Sequence, residues 1–338
     1  MRLWLEKGGW ASSRARSAIG QKRPEEIRTI AVVRHAALGD QVLTRPFLLE
    51  ARRFFPNASI TLSLIDSYRY GAPVDLVDRV HVAAGRGQPQ LSLRAQIAKA
   101  RELGPHDILF DFAATARSYW LCALTQAWLK IGFPYRHRLG RMLYDITILR
   151  SDFRFEAELL LDALNVLGCK TQHPLRYGLA EPPAQRARPY VVYFPGASVA
   201  TKQWPSGNFV QLIAHMAQAH PAIEHLVLEG IAPLDSVRPV AEALRGLANV
   251  STQGARELPE TISLLKGASL VVSNDTGIRN LAIAAETPTV GIFYSTVPFR
   301  YWPRAESHDV VFNPAGTVPS VAEVISVVER ALARLPMP

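Results

Sequence analysis

Apolar and polar positions along this chain come in a repeating order. Short β-branched runs are each followed by a turn of small or polar residues, and then by a stretch with apolar residues three and four apart. Unbroken apolar runs of this length fit strands buried on both faces, and three-and-four spacing fits helices with one buried face. In the first half the pattern predicts strands at 29–35, 59–65, 80–83 and 107–112. It predicts helices at 41–55, 91–103, 113–129 and 155–167, the first stopped by Pro56 and Asn57. In the second half strands are expected at 190–194, 225–229, 270–273, 289–293 and 309–312, with a short one at Val250. Helices are expected at 206–219, 233–244, 257–266 and 321–335, with a further short helix after Gly277. The proline-rich stretch from Pro182 to Pro189 between the halves reads as a linker. Alternation of this kind predicts an α/β fold with two Rossmann-like arrays and a cleft between them. The expected division is a basic tail over 1–28, a first domain over 29–181 and a second over 182–335.

Composition narrows the class. The chain has 338 residues, 48% hydrophobic and 20% charged, which fits a globular protein of two domains. No apolar run reaches the length that spans a bilayer. The formal charge of +9 calls for an acidic partner: nucleic acid, an anionic membrane surface or a phosphorylated small molecule. Cys122 and Cys169 stand far apart, so neither a disulfide framework nor a cysteine zinc site is indicated. Segment 1–28 carries seven Lys and Arg residues against Glu6, Glu25 and Glu26, and lacks the apolar core of a secretory signal. It reads as a disordered or weakly helical arm, either a contact for anionic lipid or a solvated arm with no role.

The turns carry the candidate chemistry. After the strand at 270–273, Asn274, Asp275, Thr276 and Gly277 lead into a helix, which puts backbone N–H groups and a helix N-terminus where phosphates bind. The alternative is that Asp275 or Thr276 caps that helix. After the strand at 190–194, the loop with Gly196, Ser198, Thr201 and Lys202 offers hydroxyls, amides and one mobile cation to a diphosphate, without P-loop spacing. Asp40, near the start of the first helix, is open to two readings, an N-cap or a general base. The cluster Lys130, Arg136, His137, Arg138, Arg141, Arg150 and Arg154 is either an anion site or a solvated face. No strand runs into G-x-G-x-x-G, as a dinucleotide oxidoreductase needs, and no nucleic-acid recognition motif is found.

The order of these motifs resembles the ADP-heptose:lipopolysaccharide heptosyltransferase family, family nine of the glycosyltransferases, which has the GT-B architecture. The resemblance rests on Ala37 to Thr44 with Phe55 to Ala58, on Lys130 to Phe133, on Pro195 to Ser198 with Lys202 to Pro205, and on Val271 to Gly277. It spans about residues 28–335. It implies two Rossmann-like domains facing each other across a cleft, and a metal-independent, inverting transfer of a heptose or related sugar. The donor would be a nucleotide diphosphate sugar, ADP-heptose, and the acceptor a lipopolysaccharide core or other anionic glycan. It matches Asp40 to the catalytic base, Ser198 and Lys202 to diphosphate contacts, and Asp275, Thr276 and Gly277 to the donor turn. Glu229 falls near the family's ribose-binding acid. Thr201 and Asn280 join the expected donor residues, and Arg117, Arg136, Arg138 and Arg141 the expected acceptor surface.

Domain closure would bring Asp40 to the acceptor hydroxyl and expel water. No cofactor and no nucleic-acid partner are expected. The expected location is the cytoplasm, with peripheral contact to an anionic inner membrane as a further expectation. Two places depart from the family pattern: Asn280 stands where a histidine is usual, and Asp111 is followed by Phe112, Ala113 and Ala114. These departures motivate the alternative of a catalytically inactive nucleotide-sugar-binding or scaffold protein of the same fold.

Overall fold

The computed structural model describes residues 9–83, 92–134 and 142–335. It divides between Gly178 and Leu179 into two units, each built on its own sheet. In the first unit the strands are β1 (Trp10–Ala11), β2 (Thr29–Val33), β3 (Ser59–Ile65), β4 (Arg79–Ala83), β5 (His106–Asp111), β6 (Ala127–Gly132) and β7 (Ile146–Thr147). The helices between them are α1 (Ser13–Ala18), α2 (Leu38–Val42), α3 (Arg45–Phe54), α4 (Leu93–Leu103) and α5 (Ala116–Leu124), with α6 (Glu156–Asn165) after β7. Strand β2 sorts its side chains with period two. Ile30 and Val32 pack with Phe47, Leu48 and Leu160 on one face, while Ala31 and Val33 pack with Leu103, Leu121 and Cys122 on the other. Both faces are therefore dry, and each large apolar side chain so buried contributes roughly 1.5–3 kcal/mol.

The second unit repeats the scheme with β8 (Tyr190–Phe194), α7 (Ser206–Ala219), β9 (Glu224–Leu228), α8 (Arg238–Ala243), β10 (Val250–Gln253) and α9 (Leu258–Gly267). It continues with β11 (Leu270–Asn274), α10 (Gly277–Ala284), β12 (Thr289–Phe293), β13 (His308–Phe312) and α11 (Val321–Ala333). Val191, Val272 and Val290 meet Phe209, Ile213, Val324 and Val328 in its core.

Strand order places the functional turns. The first sheet runs β1-β7-β6-β5-β2-β3-β4, with every pair parallel except β1 with β7. The second runs β10-β9-β8-β11-β12-β13 and is parallel throughout. In each sheet the winding reverses once, between β2 and β5 in the first and between β8 and β11 in the second. Loops diverge from the carboxyl ends of the strands at such a reversal and leave a crevice where ligands bind.

Four local expectations need correction. Residues 10–28, read as a flexible basic arm, are tied to the first unit: Trp10 and Ala11 pair with Thr147 and Ile146, Ala15 and Ile27 are buried, and Lys22 pairs with Asp107 at 2.9 Å. The helix expected at 113–129 ends at Leu124, and Ala127–Gly132 instead forms β6, paired with β5 from His106↔Ala127 to Asp111↔Gly132. Long-range pairing overrides the helical spacing there. The helix expected at 41–55 begins earlier, breaks after Val42 and restarts at Arg45, where Pro46 in the first turn has no amide to give to a continuing helix. In the stretch 233–244, Pro233–Asp235 is a 3-10 turn and the α-helix starts at Arg238, again with a proline in its first turn.

Candidate active site

At the carboxyl end of β2 the apolar strand gives way to Arg34, which is 1% exposed. Its guanidinium donates to the Phe112 carbonyl at 2.8 Å, to Oε1 of the fully buried Glu156 at 2.8 Å and to Oδ1 of Asp40 at 3.2 Å. Asp40 sits in the first turn of α2, whose N-cap is Ala37, so it is not the cap. Its side chain keeps 23% of its exposure. A partly exposed carboxylate held by a buried, charge-balanced arginine is oriented and still within reach of a substrate proton.

Beside it, His35 Nε2 meets Ser63 Oγ at 3.2 Å, Ser63 Oγ meets His81 Nδ1 at 2.9 Å, and His81 Nε2 meets the Lys99 carbonyl at 3.1 Å. The carbonyl only accepts, so His81 carries its proton on Nε2 and Ser63 donates to His81 Nδ1. His35 in turn donates from Nε2 to Ser63. Burial, then the repulsion of His81 and Arg117, push His35 down to about 3, so its ring is neutral.

Arg117 stands exposed in the first turn of α5. Arg136, Arg138 and Arg141 lie outside the described residues. Beyond β5, the buried Asp111 accepts from Tyr144 OH at 2.6 Å and from the amides of Ala113 and Ala114, and burial raises its carboxyl above the usual range. Ala114 takes φ 48°, the left-handed region, to complete that turn.

In the second unit the loops after β8 and β11 are joined by one side chain. Asn274, fully buried, donates through Nδ2 to the carbonyls of Pro195 (2.7 Å) and Gly196 (3.1 Å), and accepts through Oδ1 from Trp204 N (3.0 Å). Lys202 Nζ lies 2.5 Å from Asp275 Oδ2, which also accepts from Thr296 Oγ1 at 2.8 Å. Tyr294 OH donates to the Gln203 carbonyl, tying the segment after β12 to the same loop. Thr276 is the N-cap of α10, its hydroxyl accepting from Arg279 N at 3.4 Å, so the capping reading of the turn holds for Thr276. Capping leaves the N-terminus and its partial positive charge directed out of the sheet edge, which suits an anion as well.

Ser198 and Thr201 are exposed on the loop. Glu229 directly follows β9, its amide donating to the Gln253 carbonyl at 2.9 Å. Asn280 is 4% exposed, with Oδ1 lacking a partner. Asp235 packs against the loop so closely that a Cβ on Gly196 would fall 2.2 Å from its Oδ1. This close approach is what position 196 requires glycine for, and burial raises the Asp235 carboxyl.

Thus Lys202, Asp275 and Thr296 form one constellation at the β8/β11 reversal, and Asp40 with Arg34 and Glu156 another at the β2/β5 reversal. Asn274 belongs to the turn that the sequence marks, though nothing local shows the clamp it forms, and Arg34, a charge closing an apolar run, offers a local signal; Glu156, Thr296 and Asp235 have no distinguishing neighbours in sequence.

The model of Glycosyltransferase family 9 (heptosyltransferase) matches residues 94–327. Lipopolysaccharide heptosyltransferase 1 of Salmonella typhimurium is 24% identical over 286 residues, covering 80% of this chain and 89% of the relative. The protein of the same name from Pseudomonas aeruginosa is 23% identical over 295 residues, covering 80% and 79%. Among solved structures, E. coli heptosyltransferase WaaC with ADP superposes with a TM-score of 0.72 at 21% identity, covering 90% of this chain and 99% of that one, which establishes the shared GT-B fold class. With the family model covering more than half of its length, this chain belongs to glycosyltransferase family 9, the heptosyltransferase family, and is a glycosyltransferase.

Proposed function

We propose that the chain moves a heptose, or a closely related sugar, from ADP-heptose to a hydroxyl of an anionic lipopolysaccharide-core or similar glycan acceptor. The observation that carries this reading is the seating of an oriented carboxylate and of a lysine-bearing, helix-terminated turn at the two strand-order reversals. A relative's structure with ADP and another with ADP-2-deoxy-2-fluoro heptose support the choice of nucleotide and sugar. In this proposal the first unit binds acceptor and the second binds donor. Asp40 takes the proton of the acceptor hydroxyl as its oxygen attacks the anomeric carbon. The bond from that carbon to the diphosphate breaks on the opposite face, its electron pair leaves with ADP, and the configuration inverts. Lys202, the amides of Thr276 and Gly277 and the N-terminus of α10 are assigned the charge that builds on the diphosphate, in place of a metal ion.

Ser198, Thr201, Glu229 and Asn280 are proposed as further donor contacts. Arg117, with Arg136, Arg138 and Arg141, is proposed to meet the anionic acceptor. The +9 charge also favours contact with an anionic membrane surface from the cytoplasmic side. Among the described residues no helix is long and apolar enough to cross a membrane.

Asp40→Asn is expected to leave ADP binding intact and to cut transfer by at least about a hundredfold, the scale of losing a general base. Near-normal turnover in that variant, measured as ADP release with acceptor present, removes Asp40 from the mechanism.

A further inference from the structure

The segment after β12, residues 294–302, is rich in aromatic and polar side chains and is tied down along its length. Tyr294 OH donates to the carbonyl of Gln203, the residue after Lys202. Thr296 Oγ1 donates to Oδ2 of Asp275 at 2.8 Å. Pro298 is buried, and the turn Phe299–Tyr301 follows it. That turn is held by the buried Arg279, whose Nη1 donates to the Tyr301 carbonyl. The Arg279 side chain lies against Gly291, where a Cβ would sit 2.3 Å from Nε, and its guanidinium carbon lies 5.3 Å from the centre of the Phe293 ring. Trp302 Nε1 donates to the His308 carbonyl at 2.7 Å. With both ends anchored, the segment delivers the Thr296 hydroxyl to Asp275 at a fixed place.

Lys202 Nζ reaches the same oxygen, Asp275 Oδ2, at 2.5 Å. One carboxylate oxygen thus accepts from an ammonium on the loop after β8 and from a hydroxyl on the segment after β12. The Asp275 side chain keeps 8% of its exposure and that of Lys202 keeps 24%, so the lysine is the partner with room to move. A nearly buried carboxylate left without a hydrogen bond is costly, and that cost holds the lysine back. The Thr296 hydroxyl has a single proton, and the carboxylate already takes it.

We propose that Thr296 is the positioning residue that releases Lys202: its hydroxyl stays on Asp275 Oδ2 and keeps the carboxylate hydrogen-bonded when the lysine turns to the diphosphate of the donor. Thr296 acts on the ligand through Asp275 and Lys202, and its proton remains with the carboxylate. This inference rests on the donor-site reading above.

The test is calorimetric titration of the full chain with ADP and with AMP. Thr296→Val keeps the shape of the side chain and removes the hydroxyl. It should weaken ADP binding by about tenfold, the scale of one hydrogen bond to a charged group, and change AMP binding by less than about twofold. Thr296→Ser restores the donor and should bring ADP affinity back to within about twofold of the wild type. In the Asp275→Asn background no carboxylate holds the lysine, so Thr296→Val should change ADP affinity by less than about twofold. Equal losses for ADP and AMP, no recovery in Thr296→Ser, or the full loss in the Asp275→Asn background overturn the inference and leave Thr296 a loop anchor. A wild-type chain that binds ADP no better than AMP overturns the donor-site reading, and the inference with it. A wild-type preference that survives in Thr296→Val overturns only the role of Thr296.

Discussion

Asn274 spends its whole amide on the protein, two donated hydrogen bonds and one accepted, and these hold the loop from Pro195 to Trp204 against the end of β11. Its role is to shape the site. Asn274→Ala strands two buried carbonyls and one buried amide, a loss of roughly 3 kcal/mol for groups of this kind. Urea unfolding of the variant should show that loss, and ADP affinity should fall with it. Unchanged affinity in a destabilised variant would mean that the loop keeps its shape without the clamp.

His225 makes a prediction about pH. It is fully buried, with Nδ1 2.9 Å from Tyr193 OH, and burial pushes it down to about 4. Below the unfolded value near 6.5 the unfolded chain binds the proton that the folded chain refuses. Its contribution is therefore fully present above pH 6.5 and is lost as pH falls towards 4. The loss at pH 4 is about 3 kcal/mol. His225→Gln should flatten the stability of the second unit over that window, and an unchanged slope would assign the acid sensitivity elsewhere.

At the scale of elements, the segment from Trp10 to Ile27 shows why a basic composition is a poor guide to disorder. Few of its residues are apolar, but Ala15, Ala18 and Ile27 are buried, Trp10 and Ala11 add an edge strand, and Lys22 reaches Asp107. Deleting residues up to Gln21 should lower the unfolding free energy of the first unit by roughly 2–4 kcal/mol, from the apolar area returned to water and an exposed edge at β7. Nucleotide affinity of the second unit should not change. A truncated chain with full stability would show that the pairing contributes nothing net. Strand β6 carries a related lesson: Leu121, Leu124 and Trp128 carry helical three-and-four spacing past the end of α5, while Ala127, Leu129 and Ile131 alternate as a strand does, and pairing with β5 and β7 decides between the two. Proline, by contrast, acts locally. Pro46 and Pro239 mark where helices restart.

For the whole molecule, the repeated strand order puts the two candidate sites at the same topological place in both units. A ligand that binds only the folded second unit raises its unfolding midpoint, by an amount worth about 2.7 kcal/mol at a hundred times its dissociation constant. ADP should give a larger shift than GDP, UDP or dTDP at equal concentration. No shift with any of the four would count against the second unit as a nucleotide site.

The chain by itself determined the α/β class, the two arrays and the turns that carry Asp40, Lys202 and Asp275 to Gly277. Periodicity, buried apolar runs and small-residue turns are local properties, written within a few residues of one another. Only the tertiary structure decided that Arg34 and Glu156 hold Asp40, and that Asn274 clamps a loop some eighty residues earlier. It alone revealed that Lys202 is already paired with Asp275 and that Arg279 lies buried with donors unspent. Each of these joins groups distant in sequence through burial and hydrogen-bond geometry, which no local pattern encodes. For the turn at Asn274 to Gly277 the two sources meet: sequence marked it as a cap or an anion site, and the structure shows Thr276 capping the helix while Asp275 holds the lysine beside it.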